Sequence, residues 1–515
     1  MLRHLLVLFA LVTAAPAQAA EWWEAKTDQF IVYSQSSAAD ARAYAERLER
    51  FDLALRSLQG IGADEQMSDS RRLTVFRFGD IDAIGSLAGS QGVAGFYIPR
   101  ASGPVAFVPA KKEIGKTSLY KRNPLDAETV FFHEYGHHFM FRHFTAAYPS
   151  WYVEAFAEIN STIELRDDGS FELGSPPQSR AEALMGGLNY SIKRMLLSSN
   201  KPDFADVYGR YTYGWLLMHY LTFDPSRKGQ LQKYLKLINS GTDAPTAARQ
   251  AFGDLDALER DVSRYKSKNR YPGAAVRPGN FRKPQVSMRK LSPDEEAIMR
   301  IRIRSERGVN KKSARDVAAD ARAIAAKYPR SLPIQLALVE AEFDVERYDE
   351  AERAADAALA IDPNSVKALL YKGQVYLKRG KTNPAHYATA RTWIGKANRA
   401  DLGHPSPLMF YYLTFDRARV PPPADAVRGL ERAFELAPYD AGLRELVARQ
   451  LLVERKGPLA RQVLLPLALS PHESKQAKAL NEVAELVEAG KLDEALAKLN
   501  ERVAKAEKGD DDDDD

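Results

Sequence analysis

Two pairs of prolines recur at a fixed distance in the C-terminal half of this 515-residue chain. Pro329 and Pro363 each follow a helical stretch and are 34 residues apart, and Pro438 and Pro471 are 33 apart. Self-similarity at a period of about 20 to 50 residues is typical of arrays of small structural units. A single helix pair of this length cannot bury its own apolar face, so neighbouring pairs must stack. The period therefore predicts a stack of helix pairs with a concave surface.

The residues of this half resemble the tetratricopeptide repeat. The stretch Tyr348–Ala351 fits the second helix of one repeat, and Gly373, Tyr376 and Gly380 fit the first helix of the next. Residues 382–407 are too long for a regular repeat, so we expect one irregular unit there. The resemblance implies a groove that binds peptides or protein partners. The alternative is a helical spacer without a binding role.

A second motif, His133-Glu134-Tyr135-Gly136-His137, lies in the N-terminal half. Residues four apart lie on one face of a helix, so His133 and His137 can direct two imidazoles at one metal ion. Glu134 is adjacent to them and can take a proton from a water molecule. Because this pattern also occurs on helices by chance, the motif alone is moderate evidence for a metal site.

Two carboxylates follow in the aromatic stretch 151–158. Glu154 and Glu158 are also four residues apart, so a second helix can present both on one face. Carboxylates within an apolar stretch are costly unless they are paired or bound to metal. Two histidines and one glutamate make a three-ligand set that leaves one coordination position open, as in catalytic zinc sites. The chain has no Cys, so any metal here has nitrogen and oxygen ligands.

Together the two motifs resemble the gluzincins, the thermolysin-like branch of the zinc metallopeptidases. The resemblance implies that Zn²⁺ is bound by His133, His137 and Glu154. It also implies that Glu134 is the general base and that Glu158 holds a ligand imidazole. The expected fold is an α+β zincin-like metallopeptidase domain followed by an all-α tetratricopeptide-repeat solenoid. The expected substrate is a peptide or protein.

The same resemblance calls for a side chain that stabilises the oxyanion of the reaction, a Tyr or His in gluzincins. The aromatic stretch 208–220 contains the candidates Tyr211 and Tyr213. Ala155 stands where many members of the family have Gly, a small change that a helix tolerates.

Other histidines near the motif offer an alternative ligand set. His143 lies ten residues after His133, which is the spacing of the third histidine ligand in metzincins. Those enzymes have a Gly where this chain has Met140. A helix that continues through Met140 would place His143 about 15 Å along its axis from His133. His138 points about 100° away from its neighbour and is expected at the rim of the site or just behind its ligands.

Residues 1–20 have the three parts of a secretory signal peptide. The charged start Met1–His4 is followed by the apolar core Leu5–Thr13 and the small-residue cleavage site Ala17–Ala19. We therefore expect an exported protein, periplasmic or secreted, whose mature chain begins near Glu21. No later stretch has the length and apolarity of a transmembrane helix. The net charge of +5 is mild, and we expect no nucleic acid as a partner.

Upstream of the metal motif, periodicity predicts a mixed arrangement of strands and helix. Residues 30–33 and 73–78 are predicted strands, and 38–58 form a predicted amphipathic helix. Residues 93–98 and 105–108 are predicted to form a hairpin. The family resemblance implies that an edge strand in this part of the domain binds the substrate as an added strand.

A stretch rich in Pro and Gly, 269–293, lacks a helical period and is predicted to be a linker. Ser292, Pro293 and Glu295 have the pattern of a helix start with a capping box. The predicted divisions are a signal peptide at 1–20, a zincin-like domain at 21–268, the linker at 269–293, a repeat domain at 294–507 and an acidic tail at 508–515.

Two hypotheses for function come from different classes of protein. The first is an exported zinc metallopeptidase whose repeat domain binds substrates or partners. The second is a non-catalytic scaffold protein of the cell envelope, with tetratricopeptide repeats and a vestigial zincin domain. A decayed site usually loses one of its residues, and His133, Glu134, His137 and Glu154 are all present. The intact set favours the first hypothesis.

Overall fold

The computed structural model describes residues 21–62, 67–90, 93–111, 126–144, 146–197, 204–268, 270–279, 281–469 and 475–508. The predicted signal peptide and the acidic tail from residue 509 onward lie outside these ranges. Within the described ranges, an α+β region is followed by a region built almost entirely of helices. No helix in this part of the chain is both long and apolar enough to cross a bilayer.

Strands of the described residues form two sheets. The strands are β1 (Trp22–Lys26), β2 (Phe30–Gln35), β3 (Leu73–Arg77), β4 (Phe96–Ile98), β5 (Val105–Val108), β6 (Glu164–Leu165), β7 (Phe171–Leu173), β8 (Ala274–Val276) and β9 (Ser287–Lys290). The main sheet has the order β4-β5-β3-β2-β1-β9, and the small sheet has the order β6-β7-β8. In the main sheet, β3 runs parallel to both β2 and β5, while the outer pairs are antiparallel. The predicted hairpin is present, and its first strand, β4, stands at an edge of the sheet.

The α+β region also contains helices, some of which pack on the main sheet and others on one another. They are α1 (Ala38–Gln59), α2 (Ile81–Ala88), α3 (Ala127–His143), α4 (Ser150–Ser161), α5 (Gln178–Met185), α6 (Ile192–Leu197), α7 (Phe204–Phe223), α8 (Gln230–Asn239), α9 (Ala244–Phe252) and α10 (Leu255–Lys266). Helix α1 begins at an N-cap, Ser37, whose side chain accepts a hydrogen bond from the Asp40 amide, and ends at Gly60 with a positive φ of 65°. Short polar caps of this kind set the helix boundaries.

The main sheet buries both of its faces, against different helices. One face, which includes Phe30, Val32 and Val75, packs against α1 and the metal-motif helix α3. The opposite face includes Ile31, Tyr33, Phe76 and Phe107 and packs against α2 and against residues that follow the α+β region in sequence. Alternate residues of each strand therefore contribute to two separate cores.

The stretch 269–293 is not the unstructured linker that its composition predicts. It contains β8, which completes the small sheet beside β7, and β9, which pairs with β1 at the edge of the main sheet. Both strands are short, and most of their side chains are exposed. Their position depends on backbone hydrogen bonds to distant strands, so no hydrophobic alternation marks them in the sequence.

Helices α11 to α22 form the repeat region. They are α11 (Pro293–Arg307), α12 (Lys311–Ala325), α13 (Leu332–Asp344), α14 (Tyr348–Ile361), α15 (Val366–Arg379), α16 (His386–Ala400), α17 (Pro405–Arg417), α18 (Ala424–Leu436), α19 (Ala441–Val453), α20 (Gly457–Ala468), α21 (Lys475–Glu488) and α22 (Leu492–Lys508). The predicted start of α11 is confirmed, with Ser292 and Glu295 forming a capping box and Pro293 in the first turn. In the stretch 382–407, for which an irregular unit is predicted, the connection between α15 and α16 (residues 380–385) is longer than those on either side of α14 (345–347 and 362–365), whereas the connection after α16 (401–404) is of ordinary length.

The first helix of the repeat region, α11, also belongs to the core of the α+β region. Met299 and Ile303 pack with Leu291 on the second face of the main sheet. The Arg302 guanidinium lies over the Tyr33 ring, 4.3 Å from its centroid. The repeat region therefore begins by covering the sheet, and the two regions share buried side chains.

Candidate metal centre

Helices α3 and α4 carry the proposed ligands and approach each other closely. A Cβ atom added to Gly136 would lie 3.1 Å from the Cα of Ala157, so a larger residue in the middle of the metal motif would push the helices apart. Helix α7 crosses α4 at Gly214, where an added Cβ would lie 3.0 Å from the Trp151 carbonyl oxygen and 3.6 Å from the Ala155 Cβ. Because the residues at both crossings are small, α4 packs closely against α3 on one side and against α7 on the other.

On another side, α3 contacts α1 through a buried, hydrogen-bonded group formed by Tyr135, Asp52 and Arg56. The Tyr135 hydroxyl donates a hydrogen bond of 2.7 Å to Asp52 Oδ1, and Arg56 Nε donates to the other oxygen of Asp52 at 2.5 Å. Phe51 and Phe132 stack beside this group with their ring centroids 3.8 Å apart. These contacts fix the rotation of α3, so that His133 and His137 face α4.

The structure brings together the three ligand atoms that the two motifs predict. His133 Nε2 lies 3.1 Å from His137 Nε2 and 3.3 Å from Glu154 Oε2, and His137 Nε2 lies 3.7 Å from the same oxygen. Ligands that bind zinc tetrahedrally at about 2.1 Å are roughly 3.4 Å from one another. The donor set and its spacing therefore fit one zinc ion.

This group stands alone in the described part of the chain. Within the ranges that the structure describes, it is the one set of three His, Cys, Asp or Glu side chains close enough to share an ion. Glu154 is fully buried, and His137 is 7% exposed. A buried carboxylate next to two imidazoles is the arrangement that metal binding or charge pairing stabilises.

Glu158 lies behind His133, as its spacing from Glu154 predicts. Its Oε1 is 3.3 Å from His133 Nδ1, and it accepts a hydrogen bond of 2.9 Å from Arg180. Burial alone would raise the pKa of Glu158, but the His133 hydrogen bond and the Arg180 charge outweigh it and lower the pKa to about 2. The ionised carboxylate therefore faces His133 Nδ1, which leaves Nε2 directed towards Glu154.

Two carboxylates act on the His133 imidazole. Burial alone would lower its pKa, but the hydrogen bonds and charges of Glu154 and Glu158 raise it to about 10. Without a metal ion, this imidazole thus takes up a proton and pairs with both carboxylates. The cluster of His133, Glu154 and Glu158 therefore favours the binding of a cation, either a proton or a metal ion.

Tyr211 of α7 forms one wall of this cluster. Its ring stacks on that of His133 with the centroids 5.9 Å apart, and the Arg180 guanidinium lies 4.7 Å from its centroid. Burial raises the pKa of Tyr211, and the charges of Glu154 and Glu134 raise it further. The hydroxyl therefore stays protonated and is able to donate a hydrogen bond.

Tyr213 is directed elsewhere. Its hydroxyl donates a hydrogen bond of 2.7 Å to the Leu188 carbonyl oxygen and accepts one of 3.1 Å from Lys266. It therefore joins α7 to α10 and to the loop after α5. Of the two candidates for stabilising the oxyanion, Tyr211 is the one in contact with a proposed ligand.

The two remaining histidines of α3 are not part of the cluster. Helix α3 continues without a break through Met140 and ends at His143, whose ring packs on Phe139 at 4.6 Å. His138 is buried, and its Nδ1 shares a hydrogen bond of 2.6 Å with the Tyr97 hydroxyl. The metzincin alternative therefore lacks its third ligand, and His138 lies in the interior, not at the rim.

Tyr97 and Arg180 are the residues at this site that sequence reasoning did not single out. Tyr97 links the edge strand β4 to α3 through His138, and Arg180 of α5 links Glu158 to Tyr211. Neither residue belongs to a motif with fixed spacing from the histidines. The position of Arg180 directly after the loop with Pro176 and Pro177 is the only local signal near it.

Comparison with known proteins finds one tetratricopeptide repeat within the repeat region. A family profile described as tetratricopeptide repeat matches residues 332–375, which comprise α13, α14 and most of α15. One solved structure, titled "Functional Characterization of Pseudomonas Aeruginosa pilF", is similar at 17% identity over 41% of this chain and 91% of that chain. Its TM-score is 0.32, too low to assign a shared fold. No curated protein matches the chain.

The profile match shows a tetratricopeptide repeat at residues 332–375, and repeats of this kind bind other proteins. The α+β region precedes the repeats, and protein partners are the implied ligands of the repeat region.

Proposed function

We propose that this protein is a zinc-dependent peptidase of the gluzincin type, in which the repeat region binds proteins. The observation that carries the proposal is the spacing of His133 Nε2, His137 Nε2 and Glu154 Oε2, which fits the ligands of one tetrahedral zinc ion. Two histidines and a glutamate with a position left open are the ligand set of catalytic zinc. The signal-like residues 1–20 lead us to propose export as well.

Zn²⁺ held by these three residues would lower the pKa of water and polarise the carbonyl of the peptide bond. Glu134 would take a proton from the attacking water and transfer it to the leaving amine nitrogen. The protonated Tyr211 hydroxyl would donate a hydrogen bond to the oxygen that becomes negative as water adds. Glu158, fixed by Arg180, would hold the His133 imidazole by its Nδ1.

The edge strand β4 supports a peptide as the substrate. It pairs with β5 on one side only within the described residues, and it lies beside α3 through the contact of Tyr97 with His138. An extended peptide can pair with such an edge as an added strand. Backbone hydrogen bonds made in this way are independent of the peptide's sequence, which suits a peptidase for unfolded proteins.

The direct test compares Glu134→Gln with the wild type, both loaded with zinc, on unfolded casein. Glu134 is not a ligand, so we expect the variant to keep its zinc and to lose activity by at least roughly 100-fold. Glu128→Gln is the matched control, because Glu128 lies on the same helix and pairs with Arg47 near the surface. Full activity of zinc-loaded Glu134→Gln would contradict the mechanism.

A second candidate function is a non-catalytic interaction protein. The observation that favours it is the tetratricopeptide match at residues 332–375, which supports protein binding and carries no indication of peptidase activity. In that case the cluster of His133, His137 and Glu154 would hold a structural ion or none. Zinc-loaded wild-type protein that binds partners but leaves casein and short peptides uncleaved would establish this alternative and exclude the peptidase.

A further inference from the structure

The repeat region holds the turn that joins β4 to β5. The Arg100 guanidinium donates a hydrogen bond of 2.9 Å to the Glu306 carbonyl oxygen at the end of α11 and also pairs with the Glu306 carboxylate. The Ala101 amide donates a hydrogen bond of 2.6 Å to Asp440 Oδ2, 339 residues further along the chain. The turn is thus attached at two points to two distant repeats.

The attachment at Ala101 is partly buried. Ala101 is 1% exposed and packs in one apolar cluster with Tyr412, Leu430 and Tyr439 of the repeat region. The second oxygen of Asp440 accepts a hydrogen bond of 2.6 Å from the Leu443 amide and so caps helix α19. One carboxylate therefore fixes both the corner between α18 and α19 and the turn of the hairpin.

The residue before Asp440 reaches the metal-motif helix. The Tyr439 ring lies 4.9 Å from the ring of His138, which is adjacent in sequence to the proposed ligand His137. His138 in turn shares the 2.6 Å hydrogen bond with the Tyr97 hydroxyl of β4. Two consecutive residues of the repeat region thus contact the turn that follows the edge strand β4 and the helix α3.

We infer that Tyr439 and Asp440 are positioning residues, which hold β4 against α3 in the arrangement that a bound peptide requires. The effect on peptide binding rests on the proposed function, whereas the attachment of β4 does not. The repeat region is then part of the substrate site, because its α18–α19 corner sets the distance between the edge strand and the metal ligands. A protein that shifts this corner on binding the repeats would change peptide affinity at the cleft.

Asp440→Asn in the full-length, zinc-loaded protein separates this role from general stability. Asn is as good an N-cap as Asp, so the helix cap is kept. Its amide group would then face the Ala101 N–H, where two donors cannot form a hydrogen bond. The matched control is Asp243→Asn, the same substitution at the cap of α9, where Asp243 accepts from the Thr246 amide and is remote from the hairpin.

Hydrogen exchange and kinetics provide separate measurements. We expect the amides of β4 to exchange roughly 10-fold faster or more in Asp440→Asn, because a partly buried hydrogen bond to a carboxylate is lost. We also expect KM for short peptides to rise by about 3- to 10-fold with kcat nearly unchanged, the pattern of weakened uniform binding. Zinc content and the behaviour of Asp243→Asn should match those of the wild type.

Tyr439 variants test the second contact. Tyr439→Phe keeps the ring beside His138 and should behave as wild type, whereas Tyr439→Ala should raise KM as Asp440→Asn does. Unchanged β4 exchange and unchanged KM in Asp440→Asn would overturn the positioning role. If β4 exchange rises but wild type cleaves no peptide, the attachment of β4 stands and the peptidase assignment fails.

Discussion

The two regions of this protein differ in what they bury. The α+β region buries ionisable side chains within an aromatic core, and Glu154 and Glu158 are 0% and 4% exposed. The repeat region buries mainly small apolar residues where its helices touch, such as Ala318, Ala355 and Ala390. Its buried Glu342 and Lys372 are held in ion pairs with Arg322 and Asp356. Buried charge is costly and persists where chemistry or pairing stabilises it, whereas buried alanine mainly sets the distance between helices. Within the described residues, the cluster of buried carboxylates and imidazoles lies in the first region.

The difference in content does not make the regions independent. Strand β9 and helix α11 lie at the start of the C-terminal half in sequence but complete the sheet of the α+β region. A boundary drawn by composition near residue 268 therefore cuts through a core. This arrangement changes which fragments we expect to fold.

The largest effect that we predict is that of truncation. A fragment of residues 21–275 lacks β9 and also lacks Leu291, Met299 and Ile303, which cover one face of the main sheet. Burial of each side chain contributes about 1.5–3 kcal/mol, so the loss is comparable to the whole stability of a typical domain. We expect this fragment to be insoluble or to unfold without cooperativity in urea.

The control for the truncation is the longer fragment 21–327, which keeps β9, α11 and α12. We expect it to be soluble and to unfold cooperatively. A soluble fragment 21–275 with a sharp unfolding transition would show that the α+β region folds without β9 and α11, and that the two regions are separable modules.

The next effect concerns the third ligand of the proposed metal site. We expect Glu154→Ala to weaken zinc binding by more than the roughly 100-fold that loss of an outer partner costs, because it removes a donor atom. Glu158→Ala, which removes the partner of His133 Nδ1, should cost about 10- to 100-fold. Isothermal titration with zinc measures both.

His143→Ala serves as the control for these ligand variants. His143 lies at the end of the same helix and outside the cluster, so zinc affinity should be unchanged. Loss of zinc in His143→Ala together with tight binding in Glu154→Ala would show that the ligand set is that of the other zincin branch.

The smallest effect compares two helix glycines, one in each region. Gly136→Ala places a Cβ 3.1 Å from the Ala157 Cα, and we expect overpacking to destabilise the protein by about 1–3 kcal/mol. An added Cβ at Gly429 in α18 meets nothing closer than 3.8 Å. Gly429→Ala should therefore stabilise its helix by about 0.5–1 kcal/mol, the usual difference in helix propensity.

Thermal unfolding of the two glycine variants measures the contrast. A lower Tm for Gly136→Ala and a higher Tm for Gly429→Ala would support close packing of α3 against α4 and looser packing around Gly429 of α18. Equal stabilisation by both substitutions would show that α3 and α4 adjust easily, and the close crossing at Gly136 would lose its significance.

The sequence was sufficient where local geometry decides the outcome. Residues four apart on a helix must share a face, so the spacing alone placed His133 beside His137 and Glu154 near Glu158. The start of α11 followed from the capping pattern of Ser292 and Glu295. The 34-residue period predicted the helix pairs, and the tetratricopeptide match at 332–375 confirmed their class.

Contacts between distant segments could not be predicted in the same way. Tyr211 and Tyr213 point about 200° apart around one helix, so only one can face the cluster, and neighbouring elements decide which. The partners of Arg180 depend on how α5 folds against α4 and α7. Strands β8 and β9 are short and exposed, so their pairing left no periodic signal.

The pairing of β1 with β9 has a consequence for how the chain is made. Arg289 of β9 pairs with Glu24 of β1 across 265 residues of sequence. At a synthesis rate of roughly 5–20 residues per second, β1 waits about 13–50 s for its neighbour to emerge. During that time its outer edge is open to strands of other chains. We therefore expect the incomplete chain to aggregate through this edge, and the finished chain to be protected there once β9 has paired with β1.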